Sequence, residues 1–209
     1  MAMYAGVSGL PQVMRTLALC TIAAMLAGCT QPGAHEPGTP RVPEWAIGDS
    51  WSYVDGEGHW ENWTVVAKEA QEGVPAFRVS ATYWPPDELG VSAADAWFDQ
   101  RTLGVLRAVE GDGYTLRANP PMNQLFPMDN RTYDATIFGP SGPRDVRTEL
   151  QVIGWENIDT PAGTFETVKV ILRDENLDEA FSVWYSPKVG NFVKRETDTT
   201  QLLGAWKRV

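Results

Sequence analysis

The sequence predicts an all-β protein, a curved antiparallel meander of about 10–12 strands forming a half-barrel or a two-layer sheet. Three observations carry this expectation. Short segments rich in β-branched and aromatic residues recur from Trp45 onward. Between them, Gly, Pro, Asp and Asn punctuate the chain roughly every ten residues. Thr167–Arg173 alternates, with Val168, Val170 and Leu172 on one face and Thr167, Lys169 and Arg173 on the other. A period of two is the mark of a half-buried strand.

Taken in order, the strand segments include Trp63–Ala67, Phe77–Tyr83, Thr148–Ile153, Thr167–Leu172 and Phe181–Tyr185. Turn signals stand at Gly56–Gly58, Pro85–Asp87, Gly111–Gly113, Gly139–Pro143 and Asn176–Asp178. Ser92–Ala96 and the stretch Asn119–Leu125 read as short helical turns. In Thr160-Pro161-Ala162-Gly163-Thr164-Phe165, Pro161 presets φ for a turn, Gly163 supplies a positive φ, and Phe165 buries a ring. Pro187 has no N–H to donate and belongs outside the ladder, while Gly190 makes a turn or bulge.

One order of motifs occurs twice. Asp49–Tyr53 lines up with Asp129–Tyr133, Val65-Val66 with Val152-Ile153, and Phe77–Val79 with Phe165–Val168. Trp97–Asp99 followed by Gly104–Arg107 lines up with Trp184–Ser186 followed by Gly190–Lys194. This predicts two five-strand units, about 45–118 and 126–196, within a single domain over 45–209. Five strands alone cannot bury both faces, so the units pair into one body.

The segment before the domain is an address. Met14-Arg15 precedes an apolar run from Thr16 to Leu26, too short for a bilayer span. It ends in Leu26-Ala27-Gly28-Cys29, which resembles the bacterial lipobox cut before cysteine by signal peptidase II. The resemblance implies a lipoprotein signal peptide over 1–28, cleavage between Gly28 and Cys29, and a diacylglyceryl thioether plus an N-acyl chain (palmitate or similar) on Cys29. No positive charge occurs before Arg15, so Met14 is the candidate start. Cleavage also removes Cys20. Residues 29–44 form the lipidated cysteine and a linker, with four prolines between Thr30 and Pro43 reaching roughly 40 Å; His35 is read as part of that solvated linker. Acyl chains contributing about 0.8 kcal/mol per CH₂ hold a protein on a membrane without a spanning helix. Thr30 after the cysteine, rather than Asp, resembles sorting to the outer membrane facing the periplasm.

Gly48-Asp49-Ser50-Trp51-Ser52-Tyr53, Thr160–Phe165 and Trp184–Lys194 together resemble a family of uncharacterised bacterial envelope lipoproteins. The resemblance covers most of Gly48–Glu196 and implies a curved antiparallel sheet similar to lipoprotein-carrier folds. It brings no catalytic residues.

Chemistry leaves a thin trace. A net charge of −10, or −11 once Arg15 leaves with the leader, argues against a nucleic-acid partner. Two cysteines exclude a disulfide framework and a four-cysteine zinc site. His59, beside Trp60 and Glu61, reads as a hairpin turn; a His–carboxylate pair with Glu61 or Asp99 would instead serve acid/base catalysis. No nucleophile elbow, zinc-protease motif or P-loop occurs. Asp174–Glu179 imitates a calcium loop but carries Glu179 where Gly is required and Tyr185 where the bidentate Glu belongs. It reads as a hairpin tip, and neither a metal nor a cofactor is expected. The nine tryptophans remain. Either they pack a core, or Trp51, Trp63, Trp97 and Trp184 line a concavity for an apolar ligand. Trp60 and Trp63, three apart, face opposite sides of a strand, so only one can line it. The expected protein is therefore a non-enzymatic, lipid-anchored envelope protein binding an apolar ligand or a protein partner. The alternative is a hydrolase of envelope polymers or lipids.

Overall fold

The computed structural model describes residues 38–86, 92–110, 113, 115–174 and 179–209. The signal segment, Cys29, His35, Asp87, Gly111-Asp112 and the acidic run 175–178 lie outside the described residues. Twelve strands follow one another: β1 Ser50–Asp55, β2 Trp60–Gln71, β3 Val74–Trp84, β4 Ala93–Asp99, β5 Val105–Glu110 and β6 Thr115–Met122. Then come β7 Arg131–Gly139, β8 Gly142–Thr160, β9 Gly163–Asp174, β10 Glu179–Ser186, β11 Asn191–Glu196 and β12 Thr200–Lys207. Each pairs antiparallel with its neighbour in sequence, and β12 returns to pair with β1 from Ser50↔Lys207 to Asp55↔Gln201. The meander is thus a closed barrel rather than a half-barrel or two layers. Closure removes both sheet edges, which an open sheet of this length would leave unpaired.

The expected helical turns are strands. Ser92–Ala96 runs into β4, where Ala94 and Ala96 pair across to Ala81 and Val79. Pairing on both sides, with β3 and with β5, overrides helical propensity. Asn119–Leu125 begins inside β6. Pro120 and Pro121 lack the N–H a ladder needs, so β6 pairs with β7 only at Arg117, Ala118 and Asn119.

Side chains alternate between the lumen and the outside. Tyr53, Val65, Phe77, Val79, Phe98, Leu150, Val170, Leu172, Val183 and Leu203 form one buried apolar interior. Outward positions carry Arg147, Glu149, Glu156, Lys169 and Arg173 in the middle of their strands. A membrane barrel places an apolar band outward and polar groups inward. Here the arrangement is the reverse, so the outer wall faces water.

The repeated motifs fall on strands six apart: β1 and β7, β2 and β8, β3 and β9, β4 and β10, β5 and β11. Each half has six strands, not five, with β6 and β12 completing them. Irregularities repeat too. β2 bulges at Val66, and β8 bulges at Ile153. β5 carries an extra residue opposite Trp97/Phe98, and β11 carries one opposite Trp184/Tyr185. Trp97 Nε1 donates to Glu69 Oε1 at 2.5 Å, and Trp184 Nε1 donates to Glu156 Oε1 at 2.6 Å. Register corrects one alignment: the residue of β9 facing Tyr185 is Val168, as Phe77 faces Phe98, so Phe165 is not the counterpart of Phe77.

Antiparallel order puts the starts of odd strands at one end. Two segments leading into β1 and β7 plug it. Trp45 inserts against Trp51, Phe77 and Phe98, and Phe126 meets Tyr185 edge-on at 5.3 Å. Val42 already packs on the core, so the body begins before Trp45. Gly48, at φ +97, turns the chain so that the buried Asp49 carboxylate accepts from Ala46 N–H (2.9 Å) and Val209 N–H (2.8 Å). The two motifs flanking the domain meet here. Trp45 Nε1 donates to Gly190 O, Trp51 Nε1 to Val189 O, and Tyr53 Oη to Phe192 O. Pro187 lies just beyond β10, and Gly190 turns at φ +72. The β8–β9 tip reaches over to β12, where Ala162 N–H donates to Leu203 O at 3.1 Å. It sits beside a seam where β11 and β12 pair at only three positions. Gly163 turns there at φ +125, and Phe165 is buried.

Candidate functional site

Between the plugged end and the far end lies a cavity of about 460 Å³ in the barrel lumen. Its floor is Trp45, Leu103 and Leu125, and its walls are Trp63, Phe98, Val105, Leu172, Phe181, Val183 and Phe192. The ring stack is continuous: Trp63 meets Phe98 at 5.7 Å, Phe192 at 5.3 Å and Tyr53 at 5.9 Å. Such a wall excludes water and offers dispersion contacts to an apolar occupant.

One charged pair interrupts this lining. Glu61, on β2, is 4% exposed and receives Trp63 Nε1–H at 2.5 Å and Arg195 Nη2–H at 2.9 Å. Arg195 also donates to Gln201 Oε1 and stacks near the Phe192 ring at 5.4 Å. A carboxylate this deep requires its cation, since an unpaired buried charge is costly. Burial lifts the Tyr53 phenol well above its ordinary value, and the Glu61 charge adds to the rise while Arg195 opposes it. Tyr53 therefore stays protonated and keeps its donor role toward Phe192. Tyr133 and Tyr185 are raised by burial in the same way.

Above Glu61 the lumen continues into a second chamber of about 440 Å³ at the mouth, where the even strands begin. Glu61, Tyr83 and Gln201 line both spaces. Asp55, His59, Trp60, Trp84 and Glu110 add to the outer one. Trp60 and Trp84 face each other in register and are 40% and 58% exposed. The β1–β2 turn is tied by Asp55, which accepts from the amides of Glu57 and His59 and faces His59 Nδ1 at 3.0 Å. Desolvation pushes its carboxyl up, but these hydrogen bonds and the imidazole outweigh that and hold it below the ordinary value.

Of the four tryptophans expected to line a concavity, the structure puts Trp63 in the lumen wall. Trp51 points inward but is sealed in the plug, 1% exposed. Trp97 and Trp184 do not line it. Their neighbours Phe98 and Val183 do, so by alternation these two indoles face outward. They are buried there beneath cations, Trp97 under Arg78 and Arg107, and Trp184 under Lys169 and Lys194. Long basic stems cover apolar surface while their charges stay wet. Trp60 and Trp63 take opposite faces, as their spacing requires.

His59 does not meet Glu61 or Asp99. It pairs with Asp55 and lies 3.7 Å from Glu57 in an exposed turn. Asp99 sits at the plugged end, accepting from Arg101 N–H at 2.8 Å. The convergence that a hydrolase built on His59 needs is not formed by these residues. Among the described residues no group of three metal-ligating side chains gathers. Asp174 and Glu179 are register partners on β9 and β10, at either end of the acidic run.

No protein-family model matches this chain, and no curated protein matches it. Two solved structures are similar. One, from Parabacteroides distasonis, is provisionally described as a lipoprotein; it is 16% identical, covers 82% of this chain and all of its own, and has a TM-score of 0.44. The other, from Bacteroides fragilis, is provisionally described as an exported protein with a YmcC-like fold; it is 13% identical, covers 81% of this chain and all of its own, with a TM-score of 0.45.

Proposed function

We propose that this is a lipid-anchored envelope protein, held by an acylated Cys29 on the outer membrane facing the periplasm, whose barrel binds an apolar ligand in its lumen. The observation that carries the binding half is the aromatic-walled cavity of about 460 Å³ beside the Trp45 plug. A barrel that packed only for stability would fill that space with side chains. The lipobox-like Leu26–Cys29 carries the anchoring half.

Anchoring is tested by Cys29→Ser. The variant is expected to accumulate as a precursor with its leader attached and no lipid. If it still incorporates a palmitate analogue and matures normally, the anchor is elsewhere.

Ligand entry is tested with a brominated fatty alcohol, whose bromine quenches nearby indoles. Trp45 and Trp63 touch the cavity, so quenching is expected to saturate at low ligand. Linear, unsaturable quenching like that of free tryptophan would rule out the lumen as the site.

A further inference from the structure

We propose that the occupant is a single-chain amphiphile with a cationic head, its alkyl chain in the lumen and its ammonium group in the outer chamber. This rests on the lumen reading above and adds the chemistry of the head. The two chambers adjoin at Glu61, Tyr83 and Gln201, and one elongated molecule would lie across that junction. The inner wall is mostly rings and aliphatic chains, with Asn123, Asn191 and the Glu61–Arg195 pair among them, whereas the outer wall is acidic.

Asp55, Glu61 and Glu110 bring three carboxylates to the outer chamber, and no Lys or Arg lines it among the described residues. Its one base, His59, already faces Asp55 at 3.0 Å. Glu61 is answered from the lumen side by Arg195 at 2.9 Å. Glu110 meets no cation in the chamber lining, so an anionic head is repelled by its charge, with the shielded charges of Asp55 and Glu61 adding to the repulsion. Arg195 lines the lumen and not the outer chamber, and its Nη2 is held by Glu61 and Gln201.

Trp60 and Trp84 supply the positive preference. Both stand at the rim on the outward face of β2 and β3, well exposed, and border the chamber's entrance. Ring faces attract ammonium groups, quaternary ones included, through the π quadrupole. Carboxylates with indoles select cationic heads, and the apolar shaft beneath selects the chain.

The test is calorimetric titration of the chain from residue 30 onward, which includes every strand, the barrel closure and the whole core. The probes are decyltrimethylammonium, decyl sulfate and decyl maltoside, each below its micelle threshold, at neutral pH and about 0.15 M salt. The trimethylammonium probe is expected to bind about tenfold or more tighter than the sulfate. Because the whole chain is acidic, the decisive variant is Trp84→Ala, which leaves net charge untouched. It is expected to weaken the cationic probe about threefold and leave decyl maltoside unchanged. Glu110→Gln is expected to do the same by removing charge.

Equal or tighter binding of decyl sulfate overturns the head assignment while leaving the lumen reading in place. So does a cationic affinity that neither variant moves. If none of the three probes binds, the lumen reading itself fails and this inference fails with it.

Discussion

Trp51→Ala is expected to cost about 3–5 kcal/mol of stability, the range for removing a large buried ring. Trp51 is 1% exposed, and its ring centroid lies 5.0 Å from that of Trp45. Truncation opens a void in the plug and leaves Val189 O without its indole donor. Trp51→Phe is the informative companion. It keeps much of the volume and loses the hydrogen bond, so its cost falls to about 1–3 kcal/mol. Urea unfolding with an unchanged m-value measures both. A loss under about 1 kcal/mol for Trp51→Ala would mean that the plug does not hold β1 to the β10–β11 turn.

Arg195→Met is the second large effect. The partner carboxylate of Glu61 is only 5% exposed, whereas Arg195 keeps 27% of its side chain in contact with solvent. Fully buried pairs cost about 3–5 kcal/mol when one partner is removed, so the partial exposure of Arg195 places this variant near the lower end. Glu61 would then keep only the Trp63 indole donor. The double variant Glu61→Gln/Arg195→Met is expected to recover most of the loss, because the stranded charge is gone. A single-variant cost below about 0.5 kcal/mol is what exposed pairs give, and would place Glu61 in effective contact with water.

Local signals in the sequence announced much of this barrel. The alternation over Thr167–Arg173 is β9, and the glycines at 163 and 190 have the positive φ their turns required. The paired motif order shows up as strands six apart with matching bulges. The sixth strand of each half escaped for physical reasons. β6 is disguised by Pro120-Pro121, and β12 by Gly204 and a run without alternation. Closure escaped because β1 meets β12 across most of the chain, and no local pattern encodes so distant a pairing.

The site was harder to read. Alternation separates Trp97 from Phe98 and Trp184 from Tyr185, but it does not say which member faces inward. Size favoured the tryptophans. The barrel instead turns the smaller rings inward and hides the indoles under Arg78, Arg107, Lys169 and Lys194. Glu61 looked like a neighbour of His59. Its actual partner, Arg195, stands 134 residues away. A lone carboxylate in a strand gives no hint of such a pair until the sheet has closed.

The most direct measurement is native mass spectrometry of the barrel chain, purified without detergent or organic solvent. The predicted spectrum shows the protein with one apolar adduct, which organic extraction removes and a lipid extract restores. A spectrum with only the bare protein mass, before and after incubation with that extract, would contradict a ligand-binding lumen.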